Sequence, residues 1–196
     1  MTVRLAVLVS GGGTTLQNFL DVIASGKLDA KIEVVISSNS TAFALERARN
    51  AGIDTHIVRR RDFETQEAFS DALTAIIDRY EVDLILLAGF TQRYLFPARY
   101  EGRILNVHPA LLPKFGGQGM WGHHVHEAVL AAGETVSGCS VIIADHEYDH
   151  GPVVVQKVVP VLPDDTPETL EARVFEAECE AYPEGVRIVA KQLGLS

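Results

Sequence analysis

The sequence of 196 residues has little cysteine, no long apolar run and fewer basic than acidic residues. Its two cysteines, Cys139 and Cys179, are too few for a disulfide framework and lack the spacing of metal ligands, which favours a reducing cytoplasm. No apolar run approaches the roughly 18 residues that a membrane span needs. The segment Met1–Leu5 leads directly into an apolar strand without the layout of a signal peptide. We therefore expect a cytoplasmic protein with no membrane partner.

The charge balance narrows the class of ligand. The formal net charge of −9 argues against broad binding of nucleic acids or anionic membranes. It does not exclude anionic small molecules, because these respond to local groups rather than to the net charge. We expect small-molecule substrates and no nucleic acid.

Length and composition predict a single domain over residues 1–196, and the first half of the chain alternates apolar strands with amphipathic helices. The predicted strands are Val3–Val9, Ile32–Ser37, Val82–Ala88 and Arg103–Val107; the predicted helices are Leu16–Ile23, Ala42–Asn50 and Gln66–Tyr80. Continuous apolar strands separated by helices predict a doubly wound α/β fold, with a mostly parallel sheet and helices on both faces.

The second half of the chain has a different pattern. Val136–Ala144 and Val153–Val159 are strand-like segments without a convincing helix between them, which predicts an antiparallel C-terminal addition to the sheet. Thr166 and Pro167 then open a final helix, with threonine as the cap and proline at the first helical position.

A glycine-rich segment, Ser10–Thr15, follows the first strand and precedes the first helix. Glycines allow backbone N–H groups to approach a ligand closely, and a helix N-terminus favours an anion. The segment lacks the Gly-Lys-Ser/Thr ending of a nucleoside-triphosphate loop and the glycine spacing of a dinucleotide loop. It is either a phosphate site or a tight turn between strand and helix.

Asn106 and His108 lie two residues apart at the end of a predicted strand, so their side chains emerge on one side. An amide donor beside an imidazole is suited to stabilising an oxyanion and moving a proton. Asp149 precedes His150, Gly151 and Pro152 and by itself is typical of a turn. If it folds back against His108, its charge would favour and orient an imidazolium ring.

Two further segments have open interpretations. Three histidines within four residues, at His123, His124 and His126, suggest metal ligands, but no second cluster has metal-site spacing and the segment opens a helix running to Ala131. We expect no metal. The glycine-rich segment 115–122 is either a lid with Trp121 as its apolar latch or a long loop.

The last helix carries an acidic residue beside its apolar face. Leu170, Val174, Ala177 and Ala181 form a stripe with helical spacing, and Glu178 follows Val174 by four residues. An unpaired charge beside a buried face is costly. Glu178 either reaches water at the edge of the stripe or meets a ligand.

These motifs together resemble the phosphoribosylglycinamide formyltransferases, also called glycinamide ribonucleotide transformylases. The resemblance rests on four segments in the same order: Ser10–Gln17, Leu87–Phe90, Asn106–Pro113 and Asp149–Pro152. It implies transfer of a formyl group from the co-substrate 10-formyltetrahydrofolate to the amine of glycinamide ribonucleotide in purine biosynthesis, without a metal.

The resemblance also implies roles for individual residues. Asn106, His108 and Asp149 match the catalytic trio; Gly13, Thr14 and Thr15 match the phosphate-binding residues, and Glu178 matches a carboxylate that binds the glycinamide portion. The folate-binding positions are Gln66, Thr91, Gln92, Arg93, Tyr94 and Asn106. The chain departs from the family at Gln66, where many members have arginine, and in the longer segment 115–122.

Three other activities use related chains. Formyltetrahydrofolate hydrolase shares the trio but adds an N-terminal regulatory domain, and methionyl-tRNA formyltransferase adds a C-terminal tRNA-binding domain, so the start and end of this chain favour neither. A non-catalytic nucleotide-binding module would lack one of the trio, and all three residues are present. We expect a monomer or a homodimer.

Overall fold

The computed structural model describes residues 2–195, which divide into two compact units. The first unit runs from the N-terminus to Ile104 and includes the chain from Ala190 onward, and the second is Leu105–Val189. Among the described residues, no helix is both long enough and apolar enough to cross a membrane.

The first unit is built on parallel strands. The strands are β1 (Val3–Val9), β2 (Ala30–Ser37), β3 (Asp54–Ile57) and β4 (Leu84–Leu87), and the helices are α1 (Thr14–Ala24), α2 (Phe43–Asn50) and α3 (Gln66–Ile77). The four strands are ordered β3-β2-β1-β4. Leu5 pairs with Ile32 on one side and with Leu84 on the other, in parallel register.

The burial of β1 explains why this sheet forms. Its residues from Leu5 to Val9 have 0% exposure, so side chains on both faces of the strand are covered. A strand buried on both faces reads as a continuous apolar run, because neither set of alternating side chains meets water. The predicted parallel sheet is confirmed.

The strand β3 is not apparent from the sequence. It consists of four residues, Asp54-Thr55-His56-Ile57, none of them buried, and it pairs only with β2, at the end of the strand order. An edge strand is exposed on one side, so it does not need the apolar run that marks β1.

The second unit is antiparallel. Strand β5 (Ile104–His108) begins at the last residue of the first unit and is followed by α4 (His123–Ala131), β6 (Val136–Ile143), β7 (Val153–Pro160) and α5 (Pro167–Gln192). Asn106 pairs with Ile142, and Val141 pairs with Val155, in antiparallel registers. The predicted antiparallel addition is confirmed.

The helix α5 begins where its sequence predicts. Thr166 precedes it, and the Thr166 Oγ1 atom accepts a hydrogen bond from the backbone N–H of Thr169 at 3.4 Å. Further along, Gly185 faces Val141 of β6 so closely that a Cβ atom there would lie 2.6 Å from the valine Cγ1. The small residue allows the helix to lie directly on the strand.

Candidate active site

The end of β5 carries Asn106 and His108 on one side of the strand. His108 is 3% exposed, whereas Asn106 is partly open to solvent. The alternation of side chains along a strand places residues two apart on the same face, so the strand itself brings the amide and the imidazole together. This pairing is the one predicted from the sequence.

Asp149 folds back against both of these residues. Its Oδ1 atom accepts a hydrogen bond from Nδ2 of Asn106 at 3.3 Å, and its Oδ2 atom lies 3.4 Å from Nδ1 of His108. The carboxylate side chain is 10% exposed. Asp149 has a φ of +54°, a left-handed conformation that aspartate tolerates better than most residues. The sequence alone reads Asp149 as a turn residue, and it is both that and a partner of His108.

The loop that holds Asp149 is closed at its base. The backbone N–H of Ile143 donates to the carbonyl of Pro152 at 3.0 Å. Gly151 lies so close to the Ile143 carbonyl that a Cβ atom at this position would overlap it. Glycine is therefore required here, and the tight closure fixes where Asp149 emerges.

The glycine-rich segment 115–122 reaches two of these side chains, His108 and Asp149. The Phe115 carbonyl oxygen lies 2.7 Å from Nε2 of His108, and the Gly117 N–H donates to Oδ2 of Asp149 at 3.1 Å. Trp121 is 61% exposed, and its ring forms a T-shaped pair with the His124 ring, at 5.1 Å between ring centroids. Trp121 is thus not a buried latch in this structure.

A polar pair, the buried Ser140 and the exposed Gln156, fixes the chain that follows His108. The Ser140 hydroxyl donates to the Ala110 carbonyl at 2.7 Å and accepts from the Leu112 N–H at 3.0 Å. The Gln156 side-chain amide donates to the Leu112 carbonyl and to the Ser140 hydroxyl, both at 2.9 Å. The sequence analysis does not predict a role for these residues, although a serine and a glutamine inside apolar strands are a signal of buried hydrogen bonding.

Glu178 lies beside the buried face of α5, among Leu170, Val174 and Ala181, which are fully buried. Desolvation, with a smaller contribution from the negative charge of Glu171, raises the pKa of the Glu178 carboxyl to about 8. Among residues 2–195, no hydrogen-bond or ion-pair partner of this carboxyl is found. A desolvated acid without a partner is the arrangement expected of a group that waits for a cationic or hydrogen-bonding ligand.

The histidine-rich segment forms the start of α4. His123 lies 3.4 Å from Glu171, and His124 lies 3.1 Å from Glu127, both as solvent-accessible contacts between an imidazole and a carboxyl group. His126 is buried, its Nδ1 atom has no partner among the described residues, and burial lowers its pKa. In the described part of the chain, no three His, Cys, Asp or Glu side chains converge as metal ligands would.

The glycine loop of the first unit ends at the N-terminus of α1. Gly13 precedes the helix with a φ of +74°, and a Cβ atom there would lie 2.6 Å from Cβ of Ala44. No side chain of the described residues caps α1, so the N–H groups of its first turn remain available. Arg47 braces the loop from α2 by donating from Nε to the Gly12 carbonyl at 2.9 Å.

The predicted folate segment follows β4 in the same unit. The Thr91 N–H donates to Oγ of Ser10 at 3.0 Å, so this segment and the glycine loop are joined. The side-chain amide of Gln66, at the start of α3, donates to the Arg93 carbonyl. Gln92 donates from Nε2 to Oγ1 of Thr91 at 3.2 Å.

Tyr94 differs from its neighbours because its side chain belongs to the core. It is 6% exposed, its hydroxyl lies 2.8 Å from Oγ1 of Thr74, and burial raises its pKa to about 12. The Tyr94 hydroxyl is therefore engaged inside the core.

The arrangement around His108 defines a chemical class. A buried imidazole and carboxylate beside a primary amide can stabilise an oxyanion and move a proton, as acyl-group transfer requires. The comparisons with known proteins agree with this class. The formyl transferase family model matches residues 3–186, so the chain belongs to the formyl transferase family.

Several relatives and solved structures with similar chains are named phosphoribosylglycinamide formyltransferase or glycinamide ribonucleotide transformylase. The chain is 40% identical to phosphoribosylglycinamide formyltransferase of Escherichia coli K12, over 92% of this chain and 84% of the relative. The chain is also 40% identical to the trifunctional purine biosynthetic protein adenosine-3 of Drosophila pseudoobscura, but it spans only 14% of that protein. The crystal structure of glycinamide ribonucleotide transformylase 1 from Symbiobacterium toebii has a TM-score of 0.90 at 38% identity, covering 97% of this chain and 89% of that one.

Proposed function

We propose that the protein transfers a formyl group from 10-formyltetrahydrofolate to the amine of phosphoribosylglycinamide, giving formylglycinamide ribonucleotide and tetrahydrofolate in purine biosynthesis. The single observation that carries this proposal is the contact of Asp149 with both Asn106 and His108 in a chain of the formyl transferase family. The names of the similar proteins support the choice of substrate.

The chemistry needs one nucleophilic attack and one proton transfer. The substrate amine attacks the formyl carbon, a new C–N bond forms, and the carbonyl oxygen becomes an oxyanion. The side-chain amide of Asn106 has two N–H donors, of which one is held by Asp149 and the other is available for the oxyanion. Protonated His108 supplies a second donor, and the Asp149 carboxylate stabilises its positive charge.

The tetrahedral intermediate then collapses. The bond from the former formyl carbon to the folate nitrogen breaks, and that nitrogen takes up a proton while the attacking amine loses one. An oxyanion donor of this kind is worth about 3–4 kcal/mol.

Binding of the ribonucleotide rests on two separate features. The N–H groups of the first turn of α1, with Gly13, Thr14 and Thr15, suit the phosphate, because a helix N-terminus attracts an anion. Glu178 suits the glycinamide amine, because the N–H groups of the neutral amine can donate hydrogen bonds to its desolvated carboxyl group.

Binding of the folate is assigned to Asn106, Gln66 and the segment Thr91–Tyr94. Gln66 donates to the carbonyl of Arg93, so it acts by shaping this segment. Gln92 and Thr91 present polar groups, whereas Tyr94 contributes backbone only, since its side chain is buried.

The decisive experiment follows tetrahydrofolate release from 10-formyltetrahydrofolate with and without phosphoribosylglycinamide. We expect release only when the ribonucleotide is present, together with a formylated product. Equal release in its absence would identify a formyltetrahydrofolate hydrolase instead. No release under either condition, from a folded protein that still binds nucleotides, would indicate a binding module.

A further inference from the structure

The carbonyl of Phe115 is aimed at the catalytic imidazole. It lies 2.7 Å from Nε2 of His108, and a carbonyl oxygen can only accept a hydrogen bond. Nε2 therefore carries a proton in this arrangement. The other ring nitrogen, Nδ1, faces Oδ2 of Asp149. The hydrogen bond made by one ring nitrogen decides which form the other takes, so Phe115 leaves Nδ1 as the nitrogen that gains and loses a proton.

Phe115 adopts an unusual backbone conformation to make this contact. Its φ is +57°, in the left-handed region that bulky residues rarely enter. Strained backbone conformations persist only where the surrounding structure holds them, and they concentrate at functional sites. The strain at Phe115 coincides with the hydrogen bond to His108.

The two residues after Phe115 hold this conformation in place. A Cβ atom at Gly116 would overlap the side chain of Leu112 and would lie 3.3 Å from Cβ of Asp149. The Gly117 N–H donates to Oδ2 of Asp149 at 3.1 Å. Phe115 thus meets His108 and Gly117 meets Asp149, both through the backbone, and Gly116 leaves room for Asp149 by having no side chain.

We propose that the backbone of Phe115 is a positioning group for formyl transfer: its left-handed conformation fixes the Nε2–H form of His108 and reserves Nδ1, beside Asp149, for the transferred proton. This inference rests on the catalytic role proposed for His108. Residues 116 and 117 serve it by admitting no side chain and by anchoring the segment to the carboxylate.

Two matched variants test the proposal, Phe115→Asn and Phe115→Thr. Both remove the aromatic ring and introduce a small polar side chain, but asparagine enters the left-handed region readily and the β-branched threonine does not. We expect F115T to lower kcat about tenfold more than F115N while KM for both substrates changes less than about twofold. Equal kcat in the two variants would overturn the proposal.

A spectroscopic measurement tests the same point without relying on activity. The ¹⁵N chemical shifts of the His108 ring should show a protonated Nε2 at every pH in the wild type and in F115N, and a mixture of ring forms in F115T. A neutral wild-type ring protonated on Nδ1 instead would contradict the proposal, whatever the stability of the variants. His108→Ala separates the two claims, because full activity in that variant would remove the catalytic role and leave the tautomer result unaffected.

Discussion

Asp149 and His108 are 41 positions apart in the sequence, yet Oδ2 of the aspartate lies 3.4 Å from Nδ1 of the histidine. The aspartate reaches this position in a left-handed backbone conformation, at the end of a loop whose base is closed by Gly151. Its two carboxylate oxygens are divided between partners, with Oδ1 on Asn106 and Oδ2 facing His108. The carboxylate thereby fixes the amide and the imidazole relative to each other.

Removing either donor at the end of β5 should impair the chemical step. We expect Asn106→Ala and His108→Ala each to lower kcat by about a hundredfold or more, because each removes one group that stabilises the oxyanion. Steady-state kinetics with both substrates measures the effect, and circular dichroism checks the fold. His124→Ala, at an exposed histidine of α4, is the control. Near-normal turnover in a folded His108→Ala protein would exclude the catalytic role.

Neutralising Asp149 should affect turnover more than binding. Asparagine tolerates the left-handed backbone, so Asp149→Asn keeps the loop but removes the charge that stabilises the imidazolium. We expect kcat to fall by about tenfold or more, with little change in the dissociation constant of the ribonucleotide. Asp164→Asn removes one exposed carboxylate from the same unit and should leave both quantities unchanged. A loss of ribonucleotide affinity without a loss of kcat would assign Asp149 to binding.

Glu178 should make the stability of the protein depend on pH. Its pKa of about 8 in the folded state lies above the ordinary value of 4.5, so the folded protein binds this proton more tightly than the unfolded chain does. The contribution of this group to the free energy of unfolding is therefore largest below about pH 4.5 and falls as the pH rises towards 8. Glu178→Gln removes this pH dependence and should raise the free energy of unfolding at pH 8 by about 2–4 kcal/mol.

Urea denaturation of the wild type and of Glu178→Gln at several pH values tests this expectation. Glu176→Gln, at an exposed position of the same helix, is the matched control and should follow the wild type. The same substitution at Glu178 should weaken ribonucleotide binding by about 1–3 kcal/mol, the usual worth of a hydrogen bond to a charged group. Unchanged binding would leave Glu178 as a structural acid, and equal weakening of folate binding would indicate a general disturbance.

A side chain at Gly13 should disturb the proposed phosphate site through a steric clash, which a control variant separates from backbone strain. Gly13→Ala places a methyl group 2.6 Å from Cβ of Ala44 and also strains a backbone with φ of +74°. Gly26→Ala has nearly the same φ, +72°, but no atom within 4 Å of the new methyl group, so it carries the strain without the clash. We expect Gly13→Ala to weaken ribonucleotide binding at least about tenfold and Gly26→Ala to cost only stability, about 1 kcal/mol. Isothermal titration calorimetry and thermal denaturation distinguish the two effects.

Exhaustive chelation should leave the activity intact. The proposed steps use hydrogen-bond donors and one carboxylate, and none of them calls on a Lewis acid. The test compares turnover before and after dialysis against a chelator. Loss of activity that is restored by one particular divalent ion would assign a metal role, with the histidines of α4 as the first residues to vary.

The parts of the fold that the sequence predicts are those fixed by local periodicity. The strands β1 and β6 follow from their apolar runs, and α5 begins at Pro167 as its cap predicts. The four-residue strand β3 escapes prediction, because its hydrogen bonds to β2 leave no trace in its polar sequence. Pairing between distant segments is set by tertiary structure rather than by local propensity.

The candidate site shows the same division. Asn106 and His108 are predictable as a pair because one strand carries both. Asp149 is distant from both residues in the sequence, and no local pattern connects it to them. Its role is predicted only by the family resemblance. The Phe115 carbonyl and the Gly117 N–H are backbone groups, which every residue possesses, so no residue type marks them. The burial of Tyr94 is also not apparent from the sequence, since its side chain lies in the core whereas the segment around it is expected to bind a ligand.

The single tryptophan of the chain gives this protein an intrinsic optical probe. Trp121 lies in the segment 115–122, is 61% exposed and forms a T-shaped pair with the His124 ring. Because no other indole contributes, selectively excited fluorescence comes from one point, six residues after the carbonyl that meets His108. Any movement of this segment during a catalytic cycle changes the water around that indole. Stopped-flow fluorescence of the unlabelled protein therefore measures the rate of such a movement, which can be compared with the rate of product formation.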